Sequence, residues 1–258
     1  MKDTSAFEKF LDSAYGRRTI SLFDKEKSQI ENPPKFIISR FHGKIKPKNY
    51  LDIGGGTGKR TVEIIKGLGC RHTDFLEPSK RASDEFVKLA KSHGVGNISI
   101  IRSSFEDFSR AKKYDFITSI HSWYYIDLES LQKLYKMLAP SGIACIFIDS
   151  KDDTIKRMQD ICEIVFLNKP SNNAEDICKY LEKRGIKYSV YNYDGVLSGL
   201  LKNNNFTQRA RIIASLVAYR KWSKISASVK QKILELFRET DQGHGTYPSR
   251  RCLIVVKK

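Results

Sequence analysis

A run of alternate glycines after a short apolar segment is the clearest chemical feature of this sequence. Residues 50–53 are apolar apart from Asp52, and Gly54, Gly56 and Gly58 follow them. Glycine adopts positive φ readily, and because it has no Cβ a ligand can approach the backbone closely. A helical pattern begins after the last of these glycines. Strand, glycine turn and helix in this order predict a loop that cups a nucleotide-like ligand.

The glycine spacing and the preceding acid distinguish two classes of ligand. A dinucleotide loop has the spacing G-x-G-x-x-G and places a pyrophosphate at the start of its helix. Here the spacing is G-x-G-x-G, with Asp52 two residues upstream. An acid there would repel pyrophosphate but suits a cationic amino-acid end. The segment resembles motif I of the class I S-adenosylmethionine (SAM) dependent methyltransferases, which implies SAM as the cofactor; a glycine turn without a ligand is the alternative.

A second acid, Glu77, ends the next predicted strand, 25 residues after Asp52. This separation is that of one strand–helix–strand unit, so both acids are expected at the same edge of a parallel sheet. We expect the Glu77 carboxylate to accept hydrogen bonds from both ribose hydroxyls of the cofactor. Its charge would also repel a 2′-phosphate, which disfavours NADP. A helix cap or a surface acid is the alternative role.

Polar residues also follow the third predicted strand. We expect Ser103, Ser104 and Phe105 to meet the adenine, with the hydroxyls at its polar edge and the ring against its face. The spacing of Ser104 and Asp107 is equally typical of the N-cap of a short helix.

The end of the fourth strand carries the candidate catalytic residues. Ile120 and His121 are expected beneath the methyl group that is transferred, and His121 is the candidate general base because imidazole titrates near neutral pH. Tyr124 and Tyr125 are expected to orient the acceptor. A structural hydrogen bond for the histidine and core packing for the tyrosines are the alternatives.

These residues require a sheet to position them, and the hydrophobic pattern predicts one. Strands alternate with helices through short connections, which indicates a parallel sheet, and their near-continuous apolar runs indicate burial on both faces. The strands are expected at 50–53, 72–76, 97–101, 114–120, 143–148, 188–193 and 251–257. The helices between them are expected at 80–92, 128–138, 153–167 and 174–184, with a brief one after 104.

The chain is predicted to be an α/β protein with a Rossmann-like, seven-stranded sheet, N-terminal helices and a helical insertion before the last strand. An apolar face formed by Phe7, Phe10, Leu11 and Tyr15 predicts a helical N-terminal segment. The expected regions are an N-terminal cap (1–47), the SAM-binding core (48–194), a helical lid (195–247) and the closing strand (248–258). The segment from 195 onward has 13 Lys or Arg against 3 Asp or Glu, which makes it the most basic region.

Within the class I methyltransferases, the sequence most resembles the histamine N-methyltransferase group. The likeness rests on residues 7–11, the glycine loop, Glu77-Pro78-Ser79 and residues 115–125. It implies that Gly54, Glu77 and Ser103 or Ser104 hold SAM, and that His121 and the following tyrosines face the acceptor. The acid by which that group recognises histamine has no counterpart in 13–18, where two arginines occur. We therefore expect a neutral or anionic small-molecule acceptor rather than histamine.

Net charge, cysteine content and apolar runs bear on possible partners, metal sites and location. The 258 residues carry a formal charge of +17, which fits either an acidic partner such as RNA or simply a well-solvated surface, and the second reading is slightly favoured. The five cysteines are scattered and form no C-x-x-C, and neither they nor the dispersed histidines suggest a metal site or a disulfide framework. Without a signal-peptide core or an apolar run of membrane-spanning length, a soluble, cytoplasmic protein is expected.

Three functions follow from the sequence. The first is an enzyme that transfers the SAM methyl group to nitrogen or oxygen of a small molecule. The second uses the basic lid to present RNA as the acceptor, and the third is a non-catalytic module that binds SAM. A dehydrogenase is the outside alternative.

Overall fold

The structure is a computed structural model that describes residues 13, 15–16, 18–19, 21–22, 31–124, 126–166 and 171–258. The chain divides into two compact units. One, called here the sheet unit, comprises 32–149, 172–192 and 252–258. The other, called here the helical unit, comprises 1–31, 150–171 and 193–251.

A seven-stranded sheet confirms the predicted α/β fold. Its strands are β1 (Asn49–Ile53), β2 (His72–Leu76), β3 (Ile98–Ile101), β4 (Tyr114–Ile120), β5 (Leu138–Asp149), β6 (Tyr188–Ser198) and β9 (Thr246–Lys257), while β7 (Leu201–Lys202) and β8 (Asn205–Phe206) form a separate hairpin. The strands of the sheet follow the order β3-β2-β1-β4-β5-β9-β6. The pairs β1–β2, β1–β4, β2–β3 and β4–β5 are parallel. The carboxyl ends of these five strands therefore share one edge of the sheet.

The helices have local sequence reasons for their bounds. They are α1 (Pro33–Phe41), α2 (Lys59–Leu68), α3 (Lys80–Ser92), α4 (Ser130–Met137), α5 (Thr154–Phe166), α6 (Ala174–Lys183), α7 (Gln208–Val217) and α8 (Ala227–Thr240). The Ser79 hydroxyl accepts from the Ala82 amide and starts α3, and Asn173 and Asp176 form a capping box for α6. Helix α2 instead begins after Gly58, which has a left-handed conformation and offers no side-chain cap.

Three expected elements differ from the structure. The brief helix after 104 is only a turn, closed by a hydrogen bond from the Phe108 amide to the Ser104 carbonyl. The turn expected at 140–142 lies inside β5, where the register shifts by three residues against β4 and Ser141 has φ +63°. The insertion from 195 is not wholly helical, because β6 extends to Ser198 and the hairpin follows.

Each unit has its own hydrophobic core. In the sheet unit, inward side chains of β1, β4 and β5 pack with Trp123, which is fully buried, and with α4 and α6. In the helical unit, Met158 of α5 packs with Ile213 of α7 and with Ile233 and Phe237 of α8. These apolar positions recur at helical spacing, which explains why the sequence predicted a helix at 153–167 and a helical lid from 195 onward.

The N-terminal prediction is only partly covered by the described residues. Phe7, Phe10 and Leu11 lie outside them, whereas Tyr15 is helical and its hydroxyl lies 3.0 Å from the Ser215 hydroxyl of the same unit. Across the described ranges, every helix is too short or too polar to cross a membrane.

Candidate active site

The glycine loop connects β1 to α2. Gly54, Gly56 and Gly58 have φ of +67°, +58° and +76°, which is the conformation expected of them. Side chains with a Cβ adopt this region at a cost of roughly 1–2 kcal/mol per residue, so the loop needs glycine for its backbone shape.

The glycines differ in what surrounds them. A Cβ on Gly54 would lie 2.4 Å from Ser122 Cβ, and one on Gly58 would lie 1.9 Å from the ring of Phe86. A Cβ on Gly56 would meet nothing within 4 Å. Two of the three glycines therefore allow close packing of the loop against Ser122 and Phe86, and Gly56 is the one that borders open space.

Asp52 lies beneath this loop. Its side chain is buried, and its carboxylate accepts hydrogen bonds from Thr118 Oγ1 of β4 at 2.6 Å and from Thr61 Oγ1 of α2 at 2.5 Å. Burial raises the pKa of Asp52, although both hydroxyls counteract the shift. The Asp52 carboxylate thus links β1, β4 and α2, and each of its two oxygens accepts one of these hydrogen bonds.

Glu77 lies against the glycine loop, as the spacing predicted. Its Oε2 accepts a hydrogen bond from the Gly56 amide and its Oε1 accepts one from the Ser79 amide, both at 2.9 Å. Each carboxylate oxygen has a second lone pair for another donor. Burial raises the pKa of Glu77; the nearby charge of Asp52 adds to this shift and the two amides oppose it. The carboxylate is therefore fixed next to the most open glycine of the loop.

The residues expected around an adenine are less clearly arranged. Phe105 is 3% exposed and packs in the core with its ring centroid 5.5 Å from that of Trp123. Ser104 caps a local turn by accepting from the Asp107 amide and donating to its carboxylate. Ser103 is half-buried and donates to the Ser104 carbonyl. Because the Phe105 side chain lies in the core, its ring has no exposed face on which an adenine could stack.

The turn after β4 lies beside the glycine loop. Ser122 Oγ donates a 2.6 Å hydrogen bond to the Ile53 carbonyl and lies 2.6 Å from Ser119 Oγ. Ile120 is buried at the strand end, and His121 follows with φ +56°. A non-glycine residue in this conformation is uncommon and occurs often at functional sites.

His121 is the first member of a hydrogen-bonded chain of three residues. Its Nδ1 lies 2.7 Å from the Tyr124 hydroxyl, which donates a 2.7 Å hydrogen bond to Asp149 Oδ2. The side chains of His121 and Asp149 are 7% and 4% exposed. With its only proton given to Asp149, the Tyr124 hydroxyl accepts from His121 Nδ1–H, and this leaves Nε2 as the basic nitrogen. The Phe147 ring packs against the imidazole, 5.3 Å away between centroids.

The sequence analysis did not identify every residue of this arrangement. Asp149, which ends β5, is the acidic member of the hydrogen-bonded chain with His121 and Tyr124. Its position at the end of a strand is the sequence feature that could have identified it. The contribution of Thr61 and Thr118 to holding Asp52 depends on contacts between distant segments, which the sequence pattern does not show. Tyr125, the third expected catalytic residue, lies outside the described residues.

A metal-binding cluster of histidine, cysteine or acidic side chains is not found in the part of the chain that the structure describes.

Comparison with known proteins identifies the family. A family model described as "Methyltransferase domain" matches residues 27–207. The chain belongs to this methyltransferase family. Its members use SAM as the methyl donor, as the glycine loop predicted. The matched range includes the glycine loop, Glu77 and the His121 chain, so the family assignment covers every residue of the candidate site.

Individual relatives agree with this assignment. A malonyl-[acyl-carrier protein] O-methyltransferase of Halalkalibacterium halodurans is 28% identical over 190 residues, which is 71% of this chain and 61% of the relative's length. The YcgJ protein of Bacillus subtilis superposes with a TM-score of 0.65 at 11% identity, covering 87% of this chain and 97% of that one. The N-methyltransferase NodS of Bradyrhizobium japonicum, solved with S-adenosylhomocysteine, has a TM-score of 0.54 at 14% identity, covering 100% and 99%. The structural likenesses support the class I methyltransferase fold.

The residues of this chain fit SAM. The open side of Gly56 and the Glu77 carboxylate bonded to its amide lie together at the strand ends, where nucleotide ligands bind in open α/β sheets.

Proposed function

We propose that the chain transfers a methyl group from SAM to a nitrogen or oxygen atom of a small-molecule acceptor, with His121 as the general base. This proposal rests on the hydrogen-bonded chain His121–Tyr124–Asp149, in which the His121 and Asp149 side chains are buried and which lies at the same strand edge as the glycine loop. Its geometry gives the imidazole a fixed orientation and a negative partner.

The cofactor would be held by residues of the loop and of β2. Gly56 supplies the surface against which the nucleoside lies, and the Glu77 carboxylate accepts from the ribose hydroxyls with its remaining lone pairs. Asp52 holds the loop in place through Thr61 and Thr118. Gly54 and Gly58 keep the loop packed, and Ser103 stays a candidate for a polar contact. SAM supplies a methyl group already activated on a sulfonium.

The protein's main contribution is to align the acceptor and to take its proton. Correct alignment of reacting groups accounts for up to roughly 7–11 kcal/mol of a barrier. His121 Nε2 accepts the proton of the acceptor while Nδ1–H stays bonded to the Tyr124 oxygen. The Tyr124 hydroxyl in turn stays bonded to Asp149, whose charge stabilises the imidazolium that forms. Contact of the acceptor with Tyr125 and with the helical lid remains a prediction from the sequence.

A carboxylate acceptor is the second candidate, and it is favoured by one relative. The similar protein of H. halodurans is described as an O-methyltransferase of malonyl-[acyl-carrier protein]. A carboxylate is anionic, which agrees with the predicted neutral or anionic acceptor and with the formal charge of +17. Because a carboxylate carries no proton at neutral pH, its methylation would need His121 to orient the oxygen rather than to act as a base.

Two other functions stay alternatives. RNA as acceptor is suggested by the basic residues from 195 onward, and binding to mixed tRNA that falls steeply with salt would support it. A non-catalytic SAM-binding module would bind cofactor without turnover. The finer likeness to the histamine N-methyltransferase group and a cytoplasmic location rest on the sequence and stay predictions.

The test is transfer of a tritiated methyl group from SAM to fractionated small molecules, followed by the pH dependence of the rate with the best acceptor. Base catalysis by His121 predicts a rate that rises with pH near neutrality in the wild type and loses this dependence in His121→Gln. A pH-independent rate with a carboxylic acid would support the second candidate. Label that appears only in RNA would contradict both small-molecule proposals.

A further inference from the structure

A cavity of about 420 Å³ in the sheet unit carries an excess of positive charge. It lies between residues 108–113, which precede β4, and residues 129–137 of α4 and the turn before it. We call this cavity the basic groove. Five basic side chains and one acidic side chain line it: Arg110, Lys112, Lys113, Lys133, Lys136 and Glu129. None of the residues of the glycine loop or of the His121 chain belongs to it.

Two of the cations are held by one buried carboxylate. Asp74 of β2 is fully buried, and it lies 3.0 Å from Arg110 and 3.3 Å from Lys112. It also accepts a 2.6 Å hydrogen bond from the Tyr114 hydroxyl, and hydrogen bonds and cations together lower the pKa of Asp74 against the effect of its burial. One negative charge thus anchors two positive ones and fixes this wall of the groove.

Two of the other three cations are held by neutral groups. Lys133 Nζ donates to the carbonyls of Phe105 and Glu106 at 2.6 and 3.0 Å, and Lys113 Nζ donates to the Lys136 carbonyl at 2.7 Å. Within the described ranges, neither of these ammonium groups nor that of Lys136 forms an ion pair. Backbone carbonyls therefore position the ammonium groups of Lys133 and Lys113 without an ion pair.

The positive charge of the basic groove is therefore only partly neutralised. Five positive side chains face Glu129 and the buried Asp74, which leaves an excess of three among these groups. The exposed carboxylates of Glu106 and Asp107, which lie outside the lining, offset part of this excess. Burial lowers the pKa of Lys133, although the charges of Glu106 and Asp107 oppose the shift. A bound anion would offset this desolvation and would complete the hydrogen bonds of ammonium groups that are already in place.

We propose that the basic groove binds a small ligand that carries two or more linked phosphate groups. Its volume lies in the range of small-molecule sites, about 300–1,000 Å³. Linked phosphates supply several negative charges at close spacing, and lysine ammonium groups bind phosphate as point charges. A single carboxylate or a monovalent anion would leave most of the excess charge without a partner.

The test is calorimetric titration of the full chain with inorganic tripolyphosphate at low ionic strength. The first variant is Lys133→Gln combined with Lys136→Gln. Each charged hydrogen bond to phosphate accounts for roughly a 10-fold change in affinity or more, so we expect at least about a 10-fold loss for this pair. Because Lys133 holds the Phe105 carbonyl, Lys136→Gln alone is the second variant. Lys136 is exposed, and among the described residues its side chain forms no hydrogen bond or ion pair.

The matched control is Lys88→Gln combined with Lys91→Gln on α3. Both lysines are exposed, both lie three residues apart on one helix as Lys133 and Lys136 do, and the net charge changes equally. We expect the control to bind tripolyphosphate like the wild type. Equal weakening in the control and the groove variants, or no heat with the wild type at low ionic strength, would overturn the proposal.

A single-stranded RNA oligonucleotide separates a small ligand from a nucleic acid. The proposal predicts that tripolyphosphate binds by itself and that Lys136→Gln weakens this binding. RNA binding that depends on the groove lysines, with no binding of tripolyphosphate, would overturn the proposal in favour of a nucleic-acid surface. No methyl donor takes part, so either result leaves the methyltransferase proposal to its own test.

Discussion

The glycine loop and the turn after β4 lie side by side, yet they are built from different groups. The loop presents backbone in a shape that only glycine adopts easily, with Glu77 bonded to one of its amides. The turn presents side chains, in which His121, Tyr124 and Asp149 are joined by hydrogen bonds. The difference indicates a division of labour, since the loop should determine cofactor affinity and the turn should determine turnover. Substitutions in the loop should then leave turnover unchanged, and substitutions in the turn should leave cofactor affinity unchanged.

The largest expected effect is on turnover. Replacing His121 by Ala removes the proposed base, and general-base catalysis accounts for about 10²–10⁴-fold in rate. We expect kcat to fall by this amount while the affinity for S-adenosylhomocysteine stays within about 2-fold, as kinetics and calorimetry would show. His93→Ala, at the exposed end of α3, is the control. A kcat unchanged in His121→Ala would refute the role of the imidazole.

The next effect separates the two functions of glycine within the loop. Gly58→Ala would add a Cβ 1.9 Å from the Phe86 ring at φ +76°, so we expect a loss of about 2–5 kcal/mol in the free energy of unfolding. Gly56→Ala has a similar φ but an open environment, and should cost only about 1–2 kcal/mol. Denaturant unfolding measures both. Equal losses would mean that the contact with Phe86 has no energetic role.

A smaller effect is expected at Glu77. Glu77→Gln removes the charged carboxylate that we propose accepts hydrogen bonds from the ribose hydroxyls. Charged hydrogen bonds of roughly 1.5–3 kcal/mol predict about 10- to 100-fold weaker binding of SAM. At saturating SAM, kcat should stay near the wild-type value. Glu85→Gln on α3 is the matched control, since Glu85 pairs with Arg81 one turn earlier on the same helix. A variant that binds SAM normally would exclude the ribose contact.

The smallest effect is on the pH dependence of stability. Because burial raises the pKa of Glu77 above its ordinary value of 4.5, the folded protein binds this proton more tightly than the unfolded chain does. The contribution of Glu77 to stability should therefore decline as the pH rises from about 4.5 through the raised pKa. This is measured by thermal unfolding of the wild type and of Glu77→Gln without cofactor at several pH values. As the pH rises, the stability of the variant should increase relative to that of the wild type. A difference that is constant with pH would contradict the burial argument.

Sequence predicted the strands of the sheet unit closely where an apolar run ends at an unambiguous turn. The bounds 72–76 and 114–120 match β2 and β4, and 80–92 matches α3, because each lies between polar or glycine-containing segments. The pattern was less informative at 140–142 and from 195 onward. Pro140 and Gly142 signal a turn locally, but pairing with β4 keeps this segment in β5 as an irregularity.

The candidate site shows the same limit. The register of Glu77 with the glycine loop followed from sequence separation, because a strand–helix–strand unit fixes where two strand ends meet. The inward direction of Phe105 did not follow, since it depends on Trp123, far along the chain. Asp149 was missed for a related reason: an acid at a strand end is chemically meaningful only when its partner is known, and Tyr124 is 25 residues away.

The central claim is that the loop after β1 binds the SAM nucleoside with Glu77 at its ribose. Calorimetric titration of the purified chain with S-adenosylhomocysteine tests it most directly, with thermal shift as a second readout. We expect saturable binding with one molecule per chain, weakened about 10- to 100-fold in Glu77→Gln and unchanged in His121→Ala. Neither heat nor thermal shift from the wild type at millimolar ligand would contradict the account.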